Sequence, residues 1–268
     1  MAQQTNQYNL PRRISNTVKR KIRKQCGFGC VVCGFGITQY EHIIPEWHEA
    51  RKHNPKNMAL LCGSCHDKVT RGIFSKDKIR DALRSPKCLE NGYTSDIFDI
   101  GKSTPTVKIG NTVWEDVPII LQIEDIPILE IRRSRENKGT FEISALFCDD
   151  NGEEIFKITN NIWEGNITNW DIETIGQTIT IRKNLRKIAL EITIDPNNGI
   201  IAINKLHMNF RGATIFGDQK NGFYAKASDE SQISIGSGGG VKSFDIGVLV
   251  LKDSVAMGIV SKITKHRS

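Results

Sequence analysis

The amino-acid sequence predicts an α+β protein, with a small cysteine-rich domain of helices and strands followed by an all-β domain. Four of the seven cysteines form two Cys-x-x-Cys pairs in the N-terminal third. From residue 107 onward, apolar and polar residues alternate with a period of two, as half-buried strands require. Between these regions, residues 91–106 are rich in Gly, Ser, Thr and Asp, which is typical of a linker. We therefore predict domains at residues 1–90 and 107–268.

Short helices and one hairpin are expected in the N-terminal domain. Residues 14–25 predict a helix with Ser15 or Asn16 as its N-cap, because a short polar side chain can accept the first free N–H groups. "ITQYEHIIPEW" predicts a strand and a turn that ends at Pro45. Two more helices are predicted, one starting in "GSCHDKV" and one in "SKDKIRDALRS" with Ser75 as its cap.

The second half consists of short alternating segments separated by turn residues. They include "VPIILQIEDIPILEIRR", "GTFEISALFC", "QTITIRK", "KIALEITI" and "GIIAINKLHM". Breaks such as "DDNG" and "DPNNG" are typical of tight turns between strands. Short strands at this spacing predict a sandwich, a barrel or a solenoid, and the pattern alone leaves the three open.

Composition indicates a globular protein without a membrane span. The 268 residues are 38% apolar and 25% charged, and no apolar run approaches the roughly 18 residues that a spanning helix needs. The N-terminal residues lack the apolar centre of a secretory signal. An odd number of cysteines, four of them in close pairs, favours metal binding in a reducing compartment over disulfides. We therefore expect a cytoplasmic protein.

Positive charge is concentrated in the first hundred residues. That part holds 17 Lys and Arg against 9 Asp and Glu, whereas the remainder holds 20 against 21. Such asymmetry favours a polyanionic partner, and hence nucleic acid, for the N-terminal half. No set of base-reading residues can be identified, so no sequence specificity is predicted. The candidate phosphate contacts are Lys19, Arg20, Lys21, Arg23, Lys24, Lys68 and Arg71.

The two cysteine pairs predict a structural zinc site. Each pair lets two thiolates reach one tetrahedral Zn²⁺, so the ligands are Cys30, Cys33, Cys62 and Cys65. The 28 residues between the pairs exceed the roughly 15–20 of a zinc ribbon, so the loop carries an insertion. Cys26 is an alternative to Cys30, but the flanking glycines favour Cys30. Cys88 and Cys148 are predicted to be ordinary core residues.

Three segments together resemble the zinc-bearing branch of the HNH endonuclease family. They are "CVVC", "YEHIIPEW" and "NMALLCGSCHDK", and the resemblance covers residues 20–80. It implies a ββα-metal fold, in which a hairpin carries an acidic residue and a histidine, a loop carries an asparagine and a helix carries the last histidine. The nine positions from Asn57 to His66 match the spacing of the family.

The resemblance also implies the catalytic residues. Glu41 and His66 would bind a catalytic Mg²⁺ or Mn²⁺, His42 would take a proton from water, and Asn57 would hold His42 in place. The family more often has Asp before the base, and Glu41 adds one methylene. His48 and His53, in the polar loop, are expected to be surface residues rather than ligands.

These residues predict a metal-dependent endonuclease that acts on DNA, with RNA left open as a substrate. The β domain would then provide oligomerisation, target sensing or autoinhibition. A rival hypothesis is a non-catalytic, zinc-stabilised nucleic-acid-binding protein. A third treats the β domain as the sensor of a regulatory ligand that controls the nuclease in an antiviral defence system.

Overall fold

The computed structural model describes residues 4–135, 139–236 and 238–259. Contacts between Cα atoms divide the chain into two compact units, which are described separately. The first is Met1–Asp96 with Glu164–Thr174, and the second is Ile97–Trp163 with Ile175–Ser268. The division after Asp96 falls inside the predicted linker, residues 91–106, whereas the grouping of Glu164–Thr174 with the first unit was not expected. The predicted domain limits themselves stay a prediction.

The N-terminal part of the first unit contains four helices and three strands among its described residues. The helices are α1 (Asn16–Gln25), α2 (Gly63–Thr70), α3 (Lys76–Arg84) and α4 (Lys87–Asn91), with a short 3-10 helix at Pro55–Asn57. The strands are β1 (Thr38–His42), β2 (Met58–Cys62) and β3 (Tyr93–Ile97), the last of which lies in the predicted linker.

Two helix starts follow the sequence prediction closely. The Ser15 side chain accepts a hydrogen bond from the N–H of Val18 at the start of α1, and Ser75 accepts one from Lys78 at the start of α3. Each bond satisfies one of the N–H groups that a helix start leaves without a partner. The predicted helix caps at Ser15 and Ser75 are therefore confirmed.

An antiparallel hairpin of β1 and β2 forms the centre of the first unit. Thr38 lies opposite Cys62, and His42 lies opposite Met58. All five residues of β2 are buried, because β2 contacts α1 and α2 as well as β1. The hairpin holds the acidic-histidine pair at the end of β1, while α2 begins directly after β2.

The segment Glu164–Thr174 is attached to α1 by a buried ion-pair network. Arg23 donates from Nε and Nη2 to the two carboxylate oxygens of Asp171, at 2.8 and 2.7 Å. Its Nη1 donates to Glu173 and to the hydroxyl of Tyr40, both at 2.7 Å. Because Tyr40 lies on β1, one arginine links α1, the hairpin and this distant segment.

Every element assigned to the second unit within the described residues is a strand. In chain order they are β4 (Thr106–Ile109), β5 (Thr112–Glu115), β6 (Ile119–Ile123), β7 (Ile126–Arg133), β8 (Phe141–Cys148), β9 (Glu154–Thr159), β10 (Ile162–Asn166), β11 (Asp171–Ile175), β12 (Thr178–Arg182), β13 (Ile188–Asp195), β14 (Ile200–Phe210), β15 (Ala213–Asp218), β16 (Gly222–Lys226), β17 (Gln232–Ile235), β18 (Gly240–Lys242), β19 (Ile246–Leu251) and β20 (Ser254–Ile259). Most of β10 and of β11, namely residues 164–166 and 171–174, belongs to the first unit.

The strands of the second unit form two sheets. One has the order β20-β19-β6-β7-β8-β9-β10. The other has the order β11-β12-β13-β14-β15-β16-β17, with β4 beside β14 and β5, and β18 beside β5. Most neighbours are antiparallel, but β4–β14, β18–β5 and β19–β6 are parallel.

Alternating burial produces the core of the second unit. Along β8 and β15 buried and partly exposed residues alternate, as the sequence pattern predicts. The ring of Trp114 packs so closely on Gly247 that a Cβ at Gly247 would lie 2.9 Å from it, which joins the two sheets. The all-β prediction for this region is confirmed.

Within the described part of the chain, none of the helices has the length and apolar character needed to cross a membrane.

Candidate active site

Four cysteine side chains converge beside the hairpin. Cys30 and Cys33 lie in the turns after α1, Cys62 ends β2, and Cys65 lies in the first turn of α2. Their Sγ atoms all lie within 4.8 Å of one another, and Cys33 is 3.5 Å from Cys62 and 3.9 Å from Cys65. Thiolates around a tetrahedral Zn²⁺, with bonds of about 2.3 Å, are about 3.8 Å apart. The four residues therefore fit a zinc ion.

Backbone contacts fix the turn that carries Cys30. Its N–H donates to the carbonyl of Phe35, and the N–H of Val31 donates to Leu60 on β2. Gly29 packs so closely that a Cβ there would lie 2.7 Å from the sulfur of Cys88, which explains a glycine at this position. A hydrogen bond from Cys33 lowers the pKa of Cys30, and the same hydrogen bond raises the pKa of Cys33, because the two sulfurs share one proton that a bound metal would displace.

The other three cysteines lie outside this cluster. Burial raises the pKa of Cys26 to about 12, and its sulfur accepts a hydrogen bond from the N–H of Leu60. Burial likewise raises the pKa of Cys88 and of Cys148 to about 11. All three are buried neutral thiols, which is the behaviour expected of small core residues.

Glu41 and His66 meet between β1 and α2. The Nε2 atom of His66 is 3.2 Å from Oε2 of Glu41. Neighbouring ligands of an octahedral Mg²⁺, each about 2.1 Å from the ion, are about 3.0 Å apart. The pair therefore fits two adjacent positions around a divalent cation.

Lys76, the first residue of α3, contacts the same carboxylate. Its Nζ forms an ion pair with Oε1 of Glu41 and donates to the backbone carbonyl of His42 at 3.0 Å. A second carboxylate, Glu46, lies 3.6 Å from Nζ. Lys76 thus holds Oε1 and leaves Oε2 facing His66.

His42 is half-buried at the end of β1. Burial, together with the repulsion that the two rings would feel if both His42 and His53 were protonated, lowers the pKa of His42 to about 4, although Glu41 opposes the shift. The imidazole is therefore neutral at neutral pH and can accept a proton. The Nε2 atom of His42 is 3.2 Å from Nδ1 of His53.

Asn57 lies beside His42 in the wall of one cavity. The cavity has a volume of about 280 Å³ and is also lined by loop residues that include Arg51 and Lys52. The backbone carbonyl of Asn57 accepts a hydrogen bond from Ile43 at 2.8 Å, which closes the loop after β1. The structure thus brings Asn57 and His42 to the same space, which is open to solvent and bordered by two cations.

The basic residues of α1 occupy different environments. Arg23 is buried in its ion pairs with a side chain only 7% exposed, so it holds the first unit together and does not face solvent. Arg20 lies over the ring of Trp170 at 3.6 Å, and Lys24 donates to two backbone carbonyls of the same segment. Lys21 is exposed, and Lys19 lies 5.5 Å from the ring of Tyr40.

Two basic residues, Lys68 in α2 and Arg71 directly after it, lie nearer to solvent. Arg71 is largely exposed, 3.5 Å from Asp67. Lys68 is half-buried, with Nζ 5.3 Å from the ring centre of Phe74. Both cations follow His66 along α2, within one and a half turns of the candidate metal ligands.

Sequence reasoning missed two residues of this site. His53, expected at the surface, instead contacts His42, because the loop between β1 and β2 folds back over the end of β1. Lys76 reaches Glu41 from a helix that begins well beyond the motif. His48 is exposed, as expected. Neither His53 nor Lys76 has a local sequence pattern that indicates its contact. The contact of His53 depends on the path of the loop, and that of Lys76 depends on how α3 packs.

Comparisons with known proteins agree with this geometry for part of the chain. The sequence model of the HNH endonuclease family matches residues 30–72. A protein of Lactococcus phage SK1 described as a probable HNH endonuclease is 40% identical over 63 residues, which is 20% of this chain and 65% of the relative. The match therefore spans less than two thirds of the relative's length. No solved structure gives a significant match. The HNH endonuclease match and the four-cysteine cluster therefore coincide in residues 30–72.

Proposed function

We propose that this protein is a metal-dependent endonuclease that hydrolyses phosphodiester bonds of DNA. The observation that carries the proposal is the approach of Glu41 Oε2 to His66 Nε2, at 3.2 Å, directly beside the neutral His42. A carboxylate and an imidazole suit a divalent metal, and an adjacent neutral imidazole suits a general base. RNA, whose phosphodiester has the same chemistry, is the other substrate class.

Each residue has a defined task in this reaction. His42 takes a proton from the attacking water as the water oxygen bonds to phosphorus and the bond to the leaving oxygen breaks. Glu41 and His66 would hold the cation, and Asn57 lines the cavity beside His42. Bound Mg²⁺ or Mn²⁺ would neutralise the charge that develops on the phosphate and on the leaving oxygen.

The zinc cluster is a scaffold in this proposal. Cys62 and Cys65 bracket the start of α2, so a zinc ion there fixes the direction in which α2 presents His66. Structural zinc in a small module contributes directly to folding. The zinc and the catalytic metal are therefore separable by mutation.

Cations of the first unit that are exposed or partly exposed are proposed to contact the nucleic-acid backbone. Such contacts give an affinity that falls as salt rises, since binding releases counterions. The second unit has no comparable excess of positive charge, so we assign it to oligomerisation, sensing or regulation, and a role in antiviral defence belongs to the same proposal. The proposed contacts are Lys19, Lys21, Arg51, Lys52, Lys68 and Arg71.

One observation favours the non-catalytic alternative. The ion pair of Lys76 with Glu41 already neutralises the carboxylate, and a domain that only binds nucleic acid could keep this pair without a second metal. Cleavage by the purified protein separates the two functions. A pure binding protein would retard DNA without nicking it.

The test is plasmid cleavage with Mg²⁺, Mn²⁺ or excess chelator. We expect metal-dependent nicking by the wild type. His42→Ala should retain zinc and DNA affinity but lose roughly 10²–10⁴-fold in rate, as expected for a positioned general base. His48→Ala, which changes an exposed histidine of the same loop, is the matched control. Equal rates for His42→Ala and the wild type would overturn the proposal, and cleavage of RNA alone would change its substrate.

A further inference from the structure

His53 forms a hydrogen-bonded chain between His42 and the N-terminal segment. Its Nδ1 atom is 3.2 Å from Nε2 of His42, and its Nε2 atom is 2.8 Å from the carbonyl oxygen of Pro11. The two imidazole rings lie 5.2 Å apart between centres and are tilted by 47°. Three groups from separate parts of the first unit are therefore joined by two successive hydrogen bonds.

The carbonyl at one end of this chain determines where the protons lie. A carbonyl oxygen only accepts, so Nε2 of His53 must carry the hydrogen. In neutral His53 the lone pair is then on Nδ1, which accepts a hydrogen bond from Nε2–H of His42. The lone pair of His42 is consequently on Nδ1, the one ring nitrogen left to take a proton from water.

The N-terminal segment holds the Pro11 carbonyl in position. The amide nitrogen of Asn6 donates to the carbonyls of Trp47 and Ala50, at 2.5 and 2.7 Å, while its amide oxygen accepts from the N–H of Leu10. The guanidinium of Arg12 lies 4.4 Å from the ring centre of Trp47. Residues 6–12 are thus fastened to the loop that carries His53.

We propose that His53 is the positioning residue of this site and fixes the tautomer and ring plane of His42. The resemblance assigned this task to Asn57, whose backbone groups instead close the loop by bonds to Ile43 and Asn54. A group that orients a reacting imidazole is typically worth 10–100-fold in activity, by analogy with the outer partners of metal-bound histidines. The inference rests on the proposed function, because the orientation matters only if His42 is the base.

The tautomer of His42 can be measured without any activity. In full-length, zinc-loaded protein labelled with ¹⁵N-histidine, long-range ¹H–¹⁵N correlation spectra separate a ring nitrogen that carries hydrogen from one that does not. His42→Ala assigns the signals. We expect His42 with hydrogen on Nε2 and a lone pair on Nδ1. The opposite tautomer of His42 in the wild type would overturn the proposal even if every variant misfolded.

Variants then link the tautomer to the rate. His53→Phe keeps the ring volume but removes both hydrogen bonds, so we expect mixed tautomers of His42 and a kcat lower by about 10–100-fold at unchanged KM. His53→Asn keeps an acceptor oxygen near the position of Nδ1 and should recover part of the loss. His48→Ala should change neither quantity. Zinc content checks that each variant is folded.

The outcomes separate the two proposals. Unchanged tautomer and kcat in folded His53→Phe would overturn the role of His53 while leaving the nuclease proposal intact. A wild type that cleaves no substrate with any metal, yet has the expected tautomer, would overturn the nuclease function and support only the contact between the two histidines. Loss of kcat in His53→Phe with partial recovery in His53→Asn would support both.

Discussion

Replacing Asp171 by Asn tests whether the segment Glu164–Thr174 is an integral part of the first unit. The side chains of Arg23 and Asp171 are 7% and 3% exposed, and two hydrogen bonds of 2.7–2.8 Å join them. Burial alone would lower the pKa of Arg23, but the bond to Asp171 and the surrounding charges outweigh it and raise that pKa above its usual value. Asp171→Asn keeps the shape of the side chain while it removes the charge and turns an acceptor into a donor.

The expected cost follows from burial. Removing one partner of a buried ion pair typically costs about 3–5 kcal/mol, because the remaining charge has lost its compensation. Glu173 still accepts from Arg23 at 2.7 Å, so we expect the lower end, about 3 kcal/mol. Since 1.4 kcal/mol is a factor of ten, the unit should open about a hundredfold more often.

Zinc release into an excess of a coloured chelator measures that opening for the first unit alone. When reclosing is fast, the release rate follows the population of the opened state. Asp67→Asn is the matched control, because its pair with Arg71 is more than half exposed and should contribute less than about 0.5 kcal/mol. Equal release rates for Asp171→Asn and Asp67→Asn would refute the reasoning.

Three further predictions concern the two metal sites and the second unit. Cys62→Ser should remove zinc and unfold the first unit, because that thiol is one of the four proposed ligands. Elemental analysis measures the zinc and circular dichroism measures the folding, and a folded, zinc-free variant would contradict the assignment. His66→Ala should keep its zinc but need a higher Mg²⁺ or Mn²⁺ concentration for cleavage, and a loss of zinc would instead place this histidine in the structural site. In the second unit, hydrogen bonds and ion pairs from Lys183 and Lys187 lower the pKa of Asp150, so their stabilisation should be fully present above about pH 4 and be lost as the pH falls further. Urea unfolding at pH 7 and pH 3 should therefore differ less in Lys183→Met than in the wild type, and an equal difference would exclude this contribution.

Local rules predicted the parts of the site that depend on neighbours in sequence. The caps at Ser15 and Ser75 need only a polar side chain that reaches the N–H three residues later. The two Cys-x-x-Cys pairs place thiolates by spacing alone, and they converge as expected. The alternation of β8 likewise follows from having one buried face.

Contacts between distant parts of the chain were not predictable in the same way. His53 looked like one of several polar loop residues, and only the path of the loop brings it to His42. Arg23 looked like a phosphate contact because its partner, Asp171, is 148 residues away, at the start of β11. Sequence periodicity describes which face of an element is buried but not which distant charge covers it.

The first unit is formed by two separate parts of the sequence, residues 1–96 and 164–174. This arrangement limits when the first unit can finish folding during synthesis on the ribosome. Chains emerge N-terminus first at about 5–20 residues per second, so the 148 residues between Arg23 and Asp171 correspond to roughly 7–30 s of synthesis. During that interval Arg23 has no Asp171 carboxylate to pair with. The ion pair between α1 and the segment Glu164–Thr174 can therefore form only after residues 97–163 of the second unit have been made. We expect the buried network that joins Arg23, Asp171 and Tyr40 to form only after part of the second unit has been made, so that the candidate site on the hairpin is completed late in synthesis.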